Sequence, residues 1–160
     1  MPDIVVETEG LTKAYGSRTA LDDLNLKVER GEIFGFLGHN GAGKTTTIHM
    51  LTTLMKPTSG TATVCGQSVT RQPMQVRRHI GYVPENVRLY DTLSARDNLR
   101  FFARLSGIDA PDRRIDETLD FLDCAELAPQ RVGTFSKGLR QRIGLAQRSE
   151  ERRVGKECRS

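Results

Sequence analysis

Residues 33–47 read IFGFLGHNGAGKTTT: a short apolar run, a glycine-broken turn and a helical start in direct succession. Ile33 to Leu37 has the length and character of a strand buried on both faces. From Thr45, apolar residues at Ile48, Leu51 and Leu54 follow helical spacing, and Pro57 and Gly60 close the segment. Between them, Gly38-His39-Asn40-Gly41-Ala42-Gly43-Lys44-Thr45 fits the spacing G-x-x-x-x-G-K-T/S, in the strand–loop–helix context that a phosphate loop requires. Glycines let backbone N–H groups curl around phosphate oxygens without Cβ clashes, and the helix start adds partial positive charge. Lys44 then places its ammonium on the β- and γ-phosphates, and the Thr45 hydroxyl completes a Mg²⁺ shell. The bland alternative is a glycine-rich turn that binds nothing. The pattern predicts a nucleoside triphosphate held with Mg²⁺.

Outward from the loop, the alternation of residues 4–10 and of Leu21 to Val28 predicts strands, as do Thr61 to Val64 and the short stretch Ile80 to Val83. The character then turns helical. Ser94 precedes a helix through Leu105 that Gly107 ends. Pro111 opens a second, with Ile115, Leu119 and Leu122 inward. A last helix begins near Ser136 with Leu139, Ile143 and Ala146 on one face. No internal repeat is visible.

With 160 residues and 37% hydrophobic content, the chain is sized for one domain. The N-terminus lacks the charged start and apolar run of an export signal, and no run reaches membrane-spanning length, so a cytoplasmic protein is expected. Cys65, Cys124 and Cys158 are far apart, with no metal-ligand spacing, which fits reduced thiols and no zinc. The net charge is +4, of which the final thirteen residues, with five basic and three acidic side chains, supply half. The remainder is an ordinary surface, and no nucleic-acid partner is expected. The sequence assigns no catalytic role to His39, His49 or His79.

Three further stretches specify the machine: LTKAYG with Tyr15 before the loop, GYVPEN with Glu85 after it, and FSKGLRQR with Ser136 opening the last helix. In this order they resemble the nucleotide-binding subunit of ATP-binding cassette (ABC) transporters, with adenine platform, phosphate loop, Q-loop and signature motif. The resemblance implies an α/β fold: a P-loop NTPase core with an antiparallel β portion and a helical insert. It implies that Tyr15 stacks on adenine, that Gly38, Asn40, Gly41, Gly43, Lys44, Thr45 and Thr46 surround the phosphates, and that Lys44 and Glu85 serve catalysis. Thr45 and Glu85 would ligate Mg²⁺. Ser136, Lys137 and Gly138 would act in trans, on ATP held by the opposite subunit of a head-to-tail dimer. Taken alone, Tyr15 also fits a core tyrosine beside a turn, and Ser136 an ordinary N-cap.

Two departures stand out. The common signature is LSGGQ, but Lys137 stands at its first glycine and Leu139 at its glutamine; Glu85 replaces the Q-loop glutamine. Together they resemble the exporter branch. The helical insert resembles the subdomain that meets a membrane-spanning permease subunit, which places Arg88, Leu89 and Tyr90 near that contact; the other reading is a plain linker. The expected division is 1–84 core, 85–135 Q-loop and helical subdomain, 136–147 signature helix, and 148–160 a tail.

That tail, RSEERRVGKECRS, resembles the translation of a sequencing adapter and falls where the family's helix continues toward the Walker B aspartate and catalytic glutamate. The expectation is therefore an incomplete subunit whose Walker B half is missing. Against it stand a charged solvated tail and a basic segment for acidic lipid. The whole protein would be a peripheral ATPase on the inner face of the membrane that couples ATP hydrolysis to export. The alternatives are an ABC-type ATPase acting on ribosomes or DNA, and a nucleotide-binding fragment without catalysis.

Overall fold

The computed structural model describes residues 3–157, with side chains described through Ser149; Cys158 lies outside it. The chain divides into two compact units, one through Ile80 and one from Gly81.

In the first unit, β1 (Ile4–Tyr15) and β2 (Arg18–Glu29) form an antiparallel hairpin that turns at Gly16 with φ +58°. β3 (Ser59–Val64) pairs antiparallel on the other side of β1, with Val6 opposite Val64, and the short β4 (Gln67–Ser68) follows it. The order is β2-β1-β3-β4. Against this sheet lie α1 (Lys44–Leu51) and α2 (Pro73–His79), which enclose Leu11, Met50, Ala62, Val64, Val69 and Val76. The buried hydroxyl of Thr8 donates to Leu24 O and that of Thr47 to Gly43 O, so neither polar group is left unmade in the core.

Several expectations need correcting here. Ile33 to Leu37 is not a strand: Ile33 is 100% and Leu37 93% exposed, and no strand pairs with this run among the described residues. A strand buried on both faces needs neighbours in the sheet, and an apolar run cannot supply them itself. Ile80 to Val83 likewise has no ladder partner among the described residues; the chain leaves α2 in an extended conformation at Ile80, which packs against the first core. α1 is shorter than its apolar spacing predicts. It turns Thr47 and Met50 inward, leaving Ile48 and Leu54 exposed, because the loop rather than the apolar period sets its phase. Gly60 is no helix terminator. It sits in β3 at φ +76°, where a Cβ would lie 2.1 Å from Gly10 O, so the strands cross there only because the side chain is missing.

The second unit is helical: α3 (Ala95–Leu105), α4 (Asp112–Phe121) and α5 (Lys137–Glu157), with single 3₁₀ turns at Ala125–Leu127 and Val132–Thr134. Ser94 caps α3 by accepting from Asp97 N, while its hydroxyl donates to Asp97 Oδ2 at 2.6 Å. Leu99, Ile115, Leu119, Val132, Ile143 and Ala146 form the core, with Leu122 and Leu139 packed at its margin as the periodicity predicts. Asn98 is fully buried and satisfied: it accepts from Tyr90 N at 2.7 Å and donates to Tyr90 O and Ser94 O, which fixes the loop ahead of α3. α5 runs on past Gln147. No helix among the described residues is long and apolar enough to cross a membrane.

Candidate functional site

The loop between Leu37 and α1 takes its shape from its glycines. Gly41 (φ +89°) and Gly43 (φ +82°) occupy the left-handed region. Gly43 is also sterically fixed, since a Cβ there would meet Ala20 O at 2.7 Å and Leu21 Cδ1 at 3.2 Å. β2 and the start of α1 thus approach through a position with no side chain. The first N–H groups of α1 have no acceptor within the helix and open onto the loop, where they favour an anion. Lys44 Nζ donates to Gly38 O at 2.5 Å and His39 O at 2.7 Å, so the loop's own carbonyls hold the ammonium over the turn. Besides that carbonyl, the His39 ring makes a 2.9 Å contact between Nδ1 and Asn40 O.

Around this turn lies a cavity of about 390 Å³ lined by Tyr15, Arg18, Ala20, Asn40, Gly41, Gly43, Lys44, Thr45 and Thr46. Of the predicted phosphate and adenine residues, only Gly38 is not in the lining, and it reaches the site through its carbonyl on Lys44. Tyr15 is no core residue. It is 49% exposed at the end of β1, its hydroxyl contacts the Met55 sulfur at 2.9 Å, and Lys13 Nζ lies 5.2 Å from the ring centroid. Arg18 is an addition that the sequence reading missed. Its signal was its place just past the Gly16 turn, in register with Tyr15, which brings a second cation into the cavity that Tyr15 lines. An aromatic edge, a loop rich in N–H donors and two cations in one cavity can hold a planar base joined to a polyphosphate. The exposed Thr45 on the same wall adds a hydroxyl, a hard oxygen donor of the kind that divalent cations take.

In the second unit, Glu85 is paired with Lys137 at 2.5 Å. The hydrogen bond from Lys137, then its charge, holds the Glu85 carboxyl below its usual range. Ser136 is exposed, and its Oγ accepts from Leu139 N at 3.3 Å, so the N-cap reading holds locally. At Gly138 an added Cβ would meet nothing nearer than Ser136 Oγ at 4.0 Å; nothing within this unit demands glycine there. Of the three residues expected near a partner, Arg88 is exposed and Tyr90 half exposed, with its ring edge-on to Phe101 at 5.1 Å. Leu89 differs: it packs against the helical core, which takes an apolar side chain more readily than water does.

Comparison with known proteins gives a consistent picture. The profile described as "ABC transporter" matches residues 21–153. An uncharacterized ABC transporter ATP-binding protein of Bacillus subtilis, YhcH, is 44% identical over 144 residues, covering 89% of this chain and 47% of that protein. The bacitracin transport ATP-binding protein BcrA of Bacillus licheniformis is 43% identical, covering 89% and 46%. A solved ATP binding subunit of an ABC transporter superposes with a TM-score of 0.74 at 30% identity, covering 92% of this chain and 62% of that one. The chain therefore spans about half the length of the curated relatives it matches.

Proposed function

Because the chain belongs to the ABC transporter family, we propose that it carries the ATP-holding half of a transport ATPase, with adenine against Tyr15 and the phosphates on the loop from Gly38 to Thr46. Nucleotide binding follows from the family. The observation that carries the specific assignment is the single cavity that gathers Tyr15, Arg18, Lys44 and Thr45. Lys44 and Arg18 neutralise phosphate charge, and the backbone N–H groups of the loop orient the terminal phosphate for attack by water. Mg²⁺, when bound, supplies further charge neutralisation; Thr45 and, through the resemblance, Glu85 are the residues we assign to it.

In the whole protein we assign residues 1–84 to the nucleotide core, 85–135 to the Q-loop and helical subdomain and 136–147 to the signature helix; 148–160 carry no functional assignment. Ser136, Lys137 and Gly138 act on ATP of a second subunit in a head-to-tail dimer. A membrane-spanning permease is the partner, which makes the protein peripheral on the cytoplasmic face. The exposed rings of Tyr90 and Phe101, beside Arg88, support this face as the permease contact. The transport name of BcrA favours this reading over an ABC-type ATPase on ribosomes or DNA.

The adenine assignment is tested by titrating the chain with MgATP and MgGTP in a calorimeter. Tyr15→Ala should weaken both by about tenfold, the order expected of one lost base-stacking contact, which any purine makes. Triphosphate binding itself should survive. Unchanged affinity for both nucleotides in Tyr15→Ala would remove Tyr15 from the site.

A further inference from the structure

Of the three positions at which this sequence departs from the family pattern, Glu85, Lys137 and Leu139, the first two are partners in one ion pair. Lys137, where the common signature has glycine, meets Glu85, where the Q-loop has glutamine, at 2.5 Å across 52 residues of chain. Each residue is awkward alone. Lys137 is the first residue of α5, where the positive end of the helix disfavours a cation. Glu85 is an exposed carboxylate on a loop assigned to a polyphosphate site, where an uncompensated negative charge repels the ligand. Together the problem disappears: the carboxylate neutralises the lysine and brings an anion to the helix start.

The neighbouring contacts run in the same direction. Gln141 Nε2 donates to Glu85 O at 3.4 Å, and Arg140 Nη1 pairs with Asp91 Oδ1 at 2.7 Å. One turn on, a Cβ at Gly144 would lie 2.6 Å from Val87 Cγ2, so the loop lies directly against the helix there. We propose that Lys137 is a positioning residue for the loop 84–91, and that Glu85 and Lys137 are a matched pair, each suited to its place only by the other. The assignment of both to the Q-loop and signature rests on the reading above; the pairing does not.

Hydrogen exchange of the full chain, followed in peptides covering residues 84–91, tests the pair. Lys137→Met and Glu85→Gln should each speed exchange there by about two- to fivefold, the range of a surface ion pair, and the double variant should be no faster than either single. Lys137→Arg should keep wild-type protection. Exchanging the charges, Glu85→Lys with Lys137→Glu, should restore it, and about 0.5 M salt should erase the wild-type advantage. A residue that only fills space would show neither the rescue nor the salt dependence. Unchanged exchange in the singles, additive effects in the double, or no rescue by the exchanged pair overturns the proposal. Calorimetry on the same samples separates the two readings: failure of the wild type to bind MgATP would sink the proposed function and leave the exchange result standing.

Discussion

Lys44→Ala should weaken MgATP binding by about 100-fold in calorimetry while leaving the fold intact. In the structure the ammonium is not part of any core; it is held by Gly38 O and His39 O on the rim of the cavity. Those carbonyls keep the cation over the turn, so a polyphosphate entering the loop meets a charge already in place. Charge-assisted hydrogen bonds contribute about 1.5 to 3 kcal/mol each, so losing the loop's point charge corresponds to one or two decades in affinity. Lys44→Arg should not rescue it. The planar guanidinium is larger and presents its donors as a fork, whereas the turn holds a compact ammonium between two carbonyls. Thermal unfolding of each variant is the control, and equal affinity in wild type and Lys44→Ala would be incompatible with the proposed site.

What the sequence disclosed and what it concealed divides along the range of the interactions. The turn from Gly38 to Thr45 was legible because its conformation is local: glycines at positive φ, then a helix start, specify it without help from distant residues. Ser94 before α3 and the Ile115–Leu119 face of α4 were legible for the same reason. The run Ile33 to Leu37 misled because its apolar composition states a preference for burial but not a partner, and the β2-β1-β3-β4 sheet offers it none. α2 was missed because only Val76 of its residues is buried, so no apolar period appears; Pro73 at its first turn was the available signal. The meeting of Glu85 with Lys137 was invisible, since both positions drew attention as separate departures and only the folded chain brings them together.

Gly43→Ala should abolish detectable MgATP binding and lower the melting temperature, whereas Gly41→Ala should do much less of either. Both glycines have left-handed backbones, so both substitutions carry a strain of roughly 1 to 2 kcal/mol. They differ in surroundings. Nothing lies within 4 Å of a Cβ at Gly41, while one at Gly43 would press on Ala20 O at 2.7 Å and Leu21 Cδ1 at 3.2 Å. Ala20 O is a backbone atom of β2, at the irregularity between the Lys13–Leu21 and Ala14–Thr19 pairs, so it cannot turn aside as the end of a flexible side chain would without moving the strand. The strain must then be relieved by moving the start of α1 away from the sheet. That movement separates Lys44, Thr45 and Thr46 on the helix from Tyr15 and Arg18 on the strands, and these are the two walls of the cavity. One methyl group thereby opens the nucleotide site by forcing apart the elements that form it, without removing any ligand-binding side chain. Titration calorimetry and thermal unfolding of the two alanine variants, side by side, read both effects. If Gly43→Ala binds MgATP as tightly as Gly41→Ala, then the close approach of β2 to the loop does not set the site, and the backbone conformation alone explains the glycines.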